Sequence, residues 1–380
     1  MNTLYVDIVN RAAVKHLIDA VAADVAAANV SDVDGVFGLS AEESNAELGL
    51  TKLDLTGVLT AASVWPEASL DGLDTVIGLL GEKATTLFGG WDPEITRDRG
   101  VGIFSSPHVK GSDALPEPVA ARGFTFPEGS VGPDSPRIGI ADTLIFEHPD
   151  LLGHIEGEST ASPQASSGHA TFVAGIVRRR APEALLVCKQ VLGPNLHDSW
   201  SVATRLVEFV DEGVSVINMS FGALVSDAPT PLRRAIDRIG TNAVLVASGG
   251  NYAQNRIGTP NLYPAFFNDV VAVGSGTVAA DGSFELADTT PDRPWLDLVA
   301  DGVIPVGLFL EGEVHFVEPR QGDVDFPQPY ASWAGSSFAA ATVTGEIARR
   351  MSVDKLSAFD ALDQLLNGEA SDIAPYRRLS

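Results

Sequence analysis

From residue 137 onward the chain repeats one pattern: short apolar runs rich in β-branched residues, separated by stretches of helical length. The runs fall at 137–141, 185–192, 214–219, 243–247 and 270–273, with helix-like segments at 171–179, 199–211 and 231–239. Strands alternating with helices at this spacing predict βαβ units around a parallel sheet. Near-continuous apolar character in the runs fits strands covered on both faces. The expected fold class is therefore α/β, a parallel central sheet flanked by helices.

The rest of the chain divides differently. Residues 1–90 read as a mainly helical or mixed region. Residues 11–29 carry apolar positions at three- and four-residue spacing, and 69–88 place Leu73, Val76, Leu79 and Leu80 on one side. Over 91–136 Pro and Gly recur and periodicity fades, which reads as a connector. Residues 137–380 then form the α/β domain. No internal repeat is visible.

Composition narrows the function classes. Lys and Arg number 25 against 50 Asp and Glu, a formal charge of −25, and that field repels phosphate backbones. Nucleic-acid binding is not expected. No apolar stretch reaches the roughly 18 residues of a membrane span, and the first residues show no basic-then-apolar secretory pattern. A cytoplasmic protein is expected. Cys188 is the single cysteine, so an intramolecular disulfide is excluded. Its setting, Leu185-Leu186-Val187-Cys188, reads as a buried, inert thiol.

In doubly covered sheets, ligands gather beyond the carboxyl ends of the strands. Four polar residues stand at such places. Asp142 follows the first strand, and His169 opens a helix in Gly168-His169-Ala170-Thr171. Asn251 ends Ser248-Gly249-Gly250-Asn251, and Ser337 lies in Gly335-Ser336-Ser337-Phe338. Singly, each has an ordinary explanation as a turn former or helix cap.

Together and in this order they resemble the subtilisin-like serine peptidases. The resemblance rests on Ile138-Gly139-Ile140-Ala141-Asp142-Thr143 with His148-Pro149-Asp150-Leu151, and on Gly168-His169-Ala170-Thr171-Phe172-Val173-Ala174-Gly175. It continues through Val216-Ile217-Asn218-Met219-Ser220-Phe221-Gly222, Val246-Ala247-Ser248-Gly249-Gly250-Asn251 and Gly335-Ser336-Ser337-Phe338-Ala339-Ala340. It covers roughly 137–350 and implies a subtilisin-like fold and a serine endopeptidase acting on peptide or protein substrates. Asp142, His169 and Ser337 would form the triad, with Asn251 donating to the oxyanion. Ser220, Phe221 and Gly222 would pair with substrate backbone. Small Ser248, Gly249 and Gly250 would leave a roomy pocket for the residue before the scissile bond.

The chain departs from the family pattern at Leu144, Ala170, Phe172, Ser336, Phe338 and Ala341, where Gly, Gly, His, Thr, Met and Pro are usual. These positions supply no proton-transfer group, so activity is expected to survive. Two other readings stay open: an inactive binding module, and a transpeptidase or macrocyclase in which an amine replaces water. No cofactor is required; structural calcium, bound by many family members, stays unassigned. No Gly-x-Ser-x-Gly elbow or Walker loop supports another chemistry. The residue 311–328 insertion reads as a surface hairpin. The resemblance leaves the N-terminal region unexplained. In secreted relatives a smaller propeptide is cut off, and the helical character of this region fits that poorly. A retained domain that restrains the protease or docks a regulatory protein partner is expected instead.

Overall fold

Six parallel pairings join the seven strands at the centre of the molecule. In chain order these are β5 (Arg137–Asp142), β6 (Ile155–Gly157), β7 (Leu185–Gln190), β8 (Val216–Met219), β10 (Val244–Ser248), β12 (Val271–Val278) and β13 (Leu298–Ala300). A short strand β9 (Ala223–Val225) follows β8 and pairs antiparallel with β11 (Asn261–Tyr263). The sheet order is β18-β13-β12-β10-β8-β5-β7-β6, where β18 (Ile373–Pro375) is an antiparallel edge. The computed structural model describes residues 3–27, 38–56, 72–98, 115–119, 126–193, 198–253, 261–316, 322–370 and 372–376.

The α/β expectation holds, with strand and helix bounds moved by a few residues. Helix α3 (Ser167–Arg180) starts earlier than its apolar periodicity indicated. Helix α4 (Ser199–Val207) passes into a 3-10 turn at Glu208–Glu212, and α5 spans Thr230–Ile239. The α6 helix (Ser336–Val353) packs beside α3 and across β8, β10 and β12, and α7 (Ala358–Leu366) follows it. Burial of α6 is nearly complete from Ser336 through Ala348, which is why its sequence shows little amphipathic contrast. The β14 strand (Val303–Leu308) pairs antiparallel with β17 (Tyr330–Ala334). Between them stands the expected hairpin, β15 (Gly312–Phe316) with β16 (Gly322–Phe326), whose tip lies outside the described residues.

Two glycines in α3 look unfavourable in a helix, at about 1 kcal/mol each. Packing explains Gly168: a Cβ there would stand 2.3 Å from the Phe309 ring. The helix can approach the segment after β14 only without that atom.

By compactness the chain separates into two units. The first is Met1–Gly100 with Asp198–Thr204 and Pro229–Ala235; the second is the remainder. The first unit is mixed rather than mainly helical. It runs β1 (Thr3–Asp7), α1 (Arg11–Ala27), β2 (Gly38–Asn45), β3 (Leu50–Thr56), α2 (Gly72–Leu87) and β4 (Ile95–Arg97). The antiparallel order is β2-β3-β1-β4, a β-α-β-β-α-β arrangement whose last strand lies inside the stretch read as connector. Leu4 and Val6 of β1 join Leu17, Ile18, Val76 and Leu80 from the helices in a core of the unit's own. Tyr5, on the opposite face by the strand's alternation, stacks on Trp200 of the same unit at 5.6 Å. Residues 28–29 and 69–71 of the expected helices, and residues 99–114 and 120–125 of the expected connector, lie outside the described residues.

Candidate active site

Asp142 ends β5 with its side chain fully buried. Its carbonyl accepts the N–H groups of Val191 and Leu192, and its Oδ1 accepts the N–H of Thr143 at 2.7 Å. Both carboxylate oxygens then meet Nδ1 of His169, at 2.8 and 2.9 Å. A carboxylate flanked in this way accepts, so Nδ1 carries the proton and Nε2 is left as the ring's acceptor.

The His169 ring has aromatic neighbours on two sides. Trp333 meets it edge-on, 5.7 Å between centroids and 88° between planes, and Phe338 lies at 5.7 Å and 41°. Phe172, the residue three positions after His169, packs on Phe338 at 4.5 Å and on Trp333 at 5.7 Å. Two of the departures from the family pattern, at 172 and 338, are therefore one packing unit. The loop after Asp142 is tied to β17, which leads to Ser337: His148 Nε2 lies 3.0 Å from the carbonyl oxygen of Pro329, and the Tyr330 hydroxyl donates to Asp150 at 2.9 Å.

Ser337 is the second residue of α6 and is 7% exposed. Its hydroxyl donates to the Ser220 carbonyl at 3.5 Å, while Ser220 Oγ donates to the Ser337 carbonyl at 3.0 Å. Asn251 comes within reach through Gly250, whose φ of +92° turns the chain back towards α6. The N–H of Ser336 donates to Asn251 Oδ1 at 2.8 Å, and Gly250 N–H donates to Ser336 Oγ at 3.0 Å. Because a backbone N–H can only donate, the amide is fixed with Nδ2 as its outward donor. That Nδ2 stands over Gly335, 3.3 Å from where a Cβ would be.

The structure thus joins Asp142 to His169 and Asn251 to the start of the Ser337 helix, with Phe338 linking the two pairs. Ser220 belongs to the same cluster. Phe221 is fully buried, and Gly222 beside it is buried as well. Gly249 and Gly250, expected beside a roomy pocket, are closely packed on the side to which a Cβ would point. A Cβ on Gly249 would lie 2.6 Å from Leu296, and one on Gly250 2.4 Å from Tyr252 and 2.9 Å from Leu262.

A buried polar thread escaped the sequence reading. Thr344 Oγ1 donates to Asn218 Oδ1 at 3.2 Å, and Asn218 Nδ2 donates to Ser220 Oγ at 2.9 Å, which holds the Ser337 carbonyl. Its only sequence signal is a polar residue inside the apolar run Val216-Ile217-Asn218-Met219. Cys188 is buried as expected; burial first, and then the nearby Asp142, push its thiol up to about 12, so it takes no part as a thiolate at neutral pH. Among the described residues, no group of three or more His, Cys, Asp or Glu side chains is placed to hold a metal ion, and no helix is long and apolar enough to cross a membrane.

Residues 134–373 match the model of the subtilase family. The chain belongs to that family. Among curated relatives, this subtilase is 30% identical over 259 residues to the major intracellular serine protease of Bacillus subtilis (strain 168), covering 60% of the present chain and 74% of that one. Subtilisin DY of Bacillus licheniformis is 30% identical over 188 residues, 44% of the present chain; the match spans 64% of that protein's length. Two crystal structures resemble the subtilase along nearly its whole length. Fervidolysin from Fervidobacterium pennivorans, a keratinolytic enzyme related to subtilisin, gives a TM-score of 0.59 at 17% identity, over 96% of this chain and 56% of that one. The epidermin leader peptide processing serine protease of Staphylococcus aureus gives 0.58 at 14% identity, over 96% and 92%. Family membership and serine protease relatives make this subtilase a serine peptidase.

Proposed function

We propose that the subtilase is an endopeptidase working through an acyl-enzyme, with Ser337 as nucleophile. The observation that carries this reading is the imidazole of His169 held by both oxygens of Asp142 through Nδ1, which leaves Nε2 free to act as base. A serine hydroxyl is a poor nucleophile at neutral pH and needs such a base. His169 takes the Ser337 proton as the hydroxyl attacks the carbonyl carbon, then gives it to the leaving amine. Asp142 keeps the tautomer and stabilises the imidazolium. Charge developing on the carbonyl oxygen meets Asn251 Nδ2 and the N–H of Ser337, at the positive end of the 18-residue α6. Water attacking the acyl-enzyme returns the serine. The contact of Ser337 with the Ser220 carbonyl is that of a resting state; catalytic hydrogen bonds often tighten only when substrate arrives.

The test is labelling by a fluorophosphonate together with product mass. Labelling of Ser337 in the wild type, its loss in Ser337→Ala and two products whose summed mass exceeds the parent peptide by one water support the reading. A protein that does not label is a binding module. Products joined to an added amine mark a transpeptidase.

The N-terminal unit enters this reading as a restraint kept in the working chain, supported by its having a core of its own. The helical character that set it apart from a propeptide is not what the unit shows, so the intact mass decides. Wild type shortened while Ser337→Ala keeps all 380 residues makes the unit a removable segment. Equal masses, with faster peptide turnover once its N-terminal part, Met1–Gly100, is deleted, make it a restraint.

A further inference from the structure

Charged and apolar residues alternate along both strands of the hairpin β15–β16. Glu313, His315, Asp323 and Asp325 are exposed, while Val314, Phe316 and Phe326 are buried. A two-stranded hairpin is marginal in water by itself, and this one sets its apolar face into the core of the α/β domain. Phe326 carries the contact inward. Its ring, fully buried, lies 4.6 Å from that of Phe309, and Phe316 packs on it at 6.3 Å. Phe309, also fully buried, reaches His169 by two routes. Its ring meets Trp333 at right angles, 5.9 Å between centroids, and Trp333 in turn meets the His169 ring at 5.7 Å. The same ring lies against Gly168, the residue before His169, so closely that a Cβ there would stand 2.3 Å from it. One side chain thus touches both the backbone that carries the imidazole and the indole that packs on it. The bonds from Nδ1 to Asp142 tolerate some tilt, so this packing decides where Nε2 points.

We infer that Phe309 and Phe326 are positioning residues for His169, and that the hairpin is the brace that holds its ring in aim through Trp333. The inference rests on the peptidase reading above and adds what directs its base. Misplacing a reacting group by 1 Å can cost about 10²-fold in rate, and a leucine in place of a phenyl ring leaves room for part of such a shift.

The experiment is a double-mutant cycle on kcat in the full-length chain, with KM and the rate of fluorophosphonate labelling measured alongside. Its members are wild type, Phe326→Leu, Trp333→Leu and the double variant. Phe326→Leu should lower kcat and the labelling rate together by about tenfold, with KM nearly constant. That loss should largely vanish in the Trp333→Leu background, because Phe326 acts through the indole. Phe309→Leu, which gives up both routes, should cost about 100-fold and keep part of that cost in the same background through Gly168. Should Phe326→Leu fail to fold, Phe326→Met, flexible enough to refill the space, takes its place in the cycle. Losses at 326 and 333 that add in full, or a folded Phe326 variant with the kcat of wild type, overturn the inference and leave the peptidase reading intact. Wild type that neither labels nor cleaves removes the peptidase reading, and this inference with it.

Discussion

Around His169 the site is walled by side chains, the rings of Trp333, Phe338 and Phe172, whereas around Ser337 and Asn251 it is walled by backbone, small residues and the Asn218–Thr344 thread. The first wall can change in matched sets, because a ring lost at one position can be made up at its neighbour. The second cannot, since backbone amides and carbonyls have no substitutes and each buried polar group needs its partner. The departures from the family pattern that carry rings, Phe172 and Phe338, fall on the first wall.

The contrast can be broken in descending steps. Asp142→Asn should lower kcat by about 10⁴, because an amide can donate to Nδ1 and select the wrong tautomer; stopped kinetics with an unchanged melting temperature would confirm a positioning loss. Asn251→Ala should lower kcat by about 10²–10³ with KM nearly constant, a size already known for the oxyanion asparagine of a subtilisin. If KM rises and kcat holds, Asn251 lines a subsite and the second wall has been misread. Thr344→Val leaves Asn218 Oδ1 buried and unpaired, and urea unfolding should show about 1–3 kcal/mol lost. On the first wall, a double-mutant cycle of Phe172→Leu and Phe338→Leu should give a coupling of about 0.5–1.5 kcal/mol. A coupling near zero would mean that the two rings are not a unit and that the first wall does not change as a set.

The central sheet was legible because strands buried on both faces must be apolar throughout, and 137–141 or 243–247 have no other reading. The N-terminal strands were not. β2 is Gly-Leu-Ser-Ala-Glu-Glu-Ser-Asn, mostly exposed, and it earns its place only by backbone pairing with β3. β3, Leu-Thr-Lys-Leu-Asp-Leu-Thr, alternates only in part. Within the site, Asp142, His169, Asn251 and Ser337 could be read from their local blocks. The Asn218–Thr344 bond, 126 residues apart in the chain, has no local mark. The same holds for Trp333, which is only one aromatic among several until its edge meets the His169 ring.

Ser337 rides on the first turn of a helix buried along most of its length. Segments of this kind open to solvent only when the whole domain does, while exposed loops open at little cost. Amide hydrogens in the middle of α6 should thus be among the last to exchange with deuterium. On heating, the nucleophile would stay aimed until global melting, so catalytic loss and unfolding should run on one curve. A protease arranged this way has no cheap partly unfolded state in which its serine is loose while the rest of the domain survives.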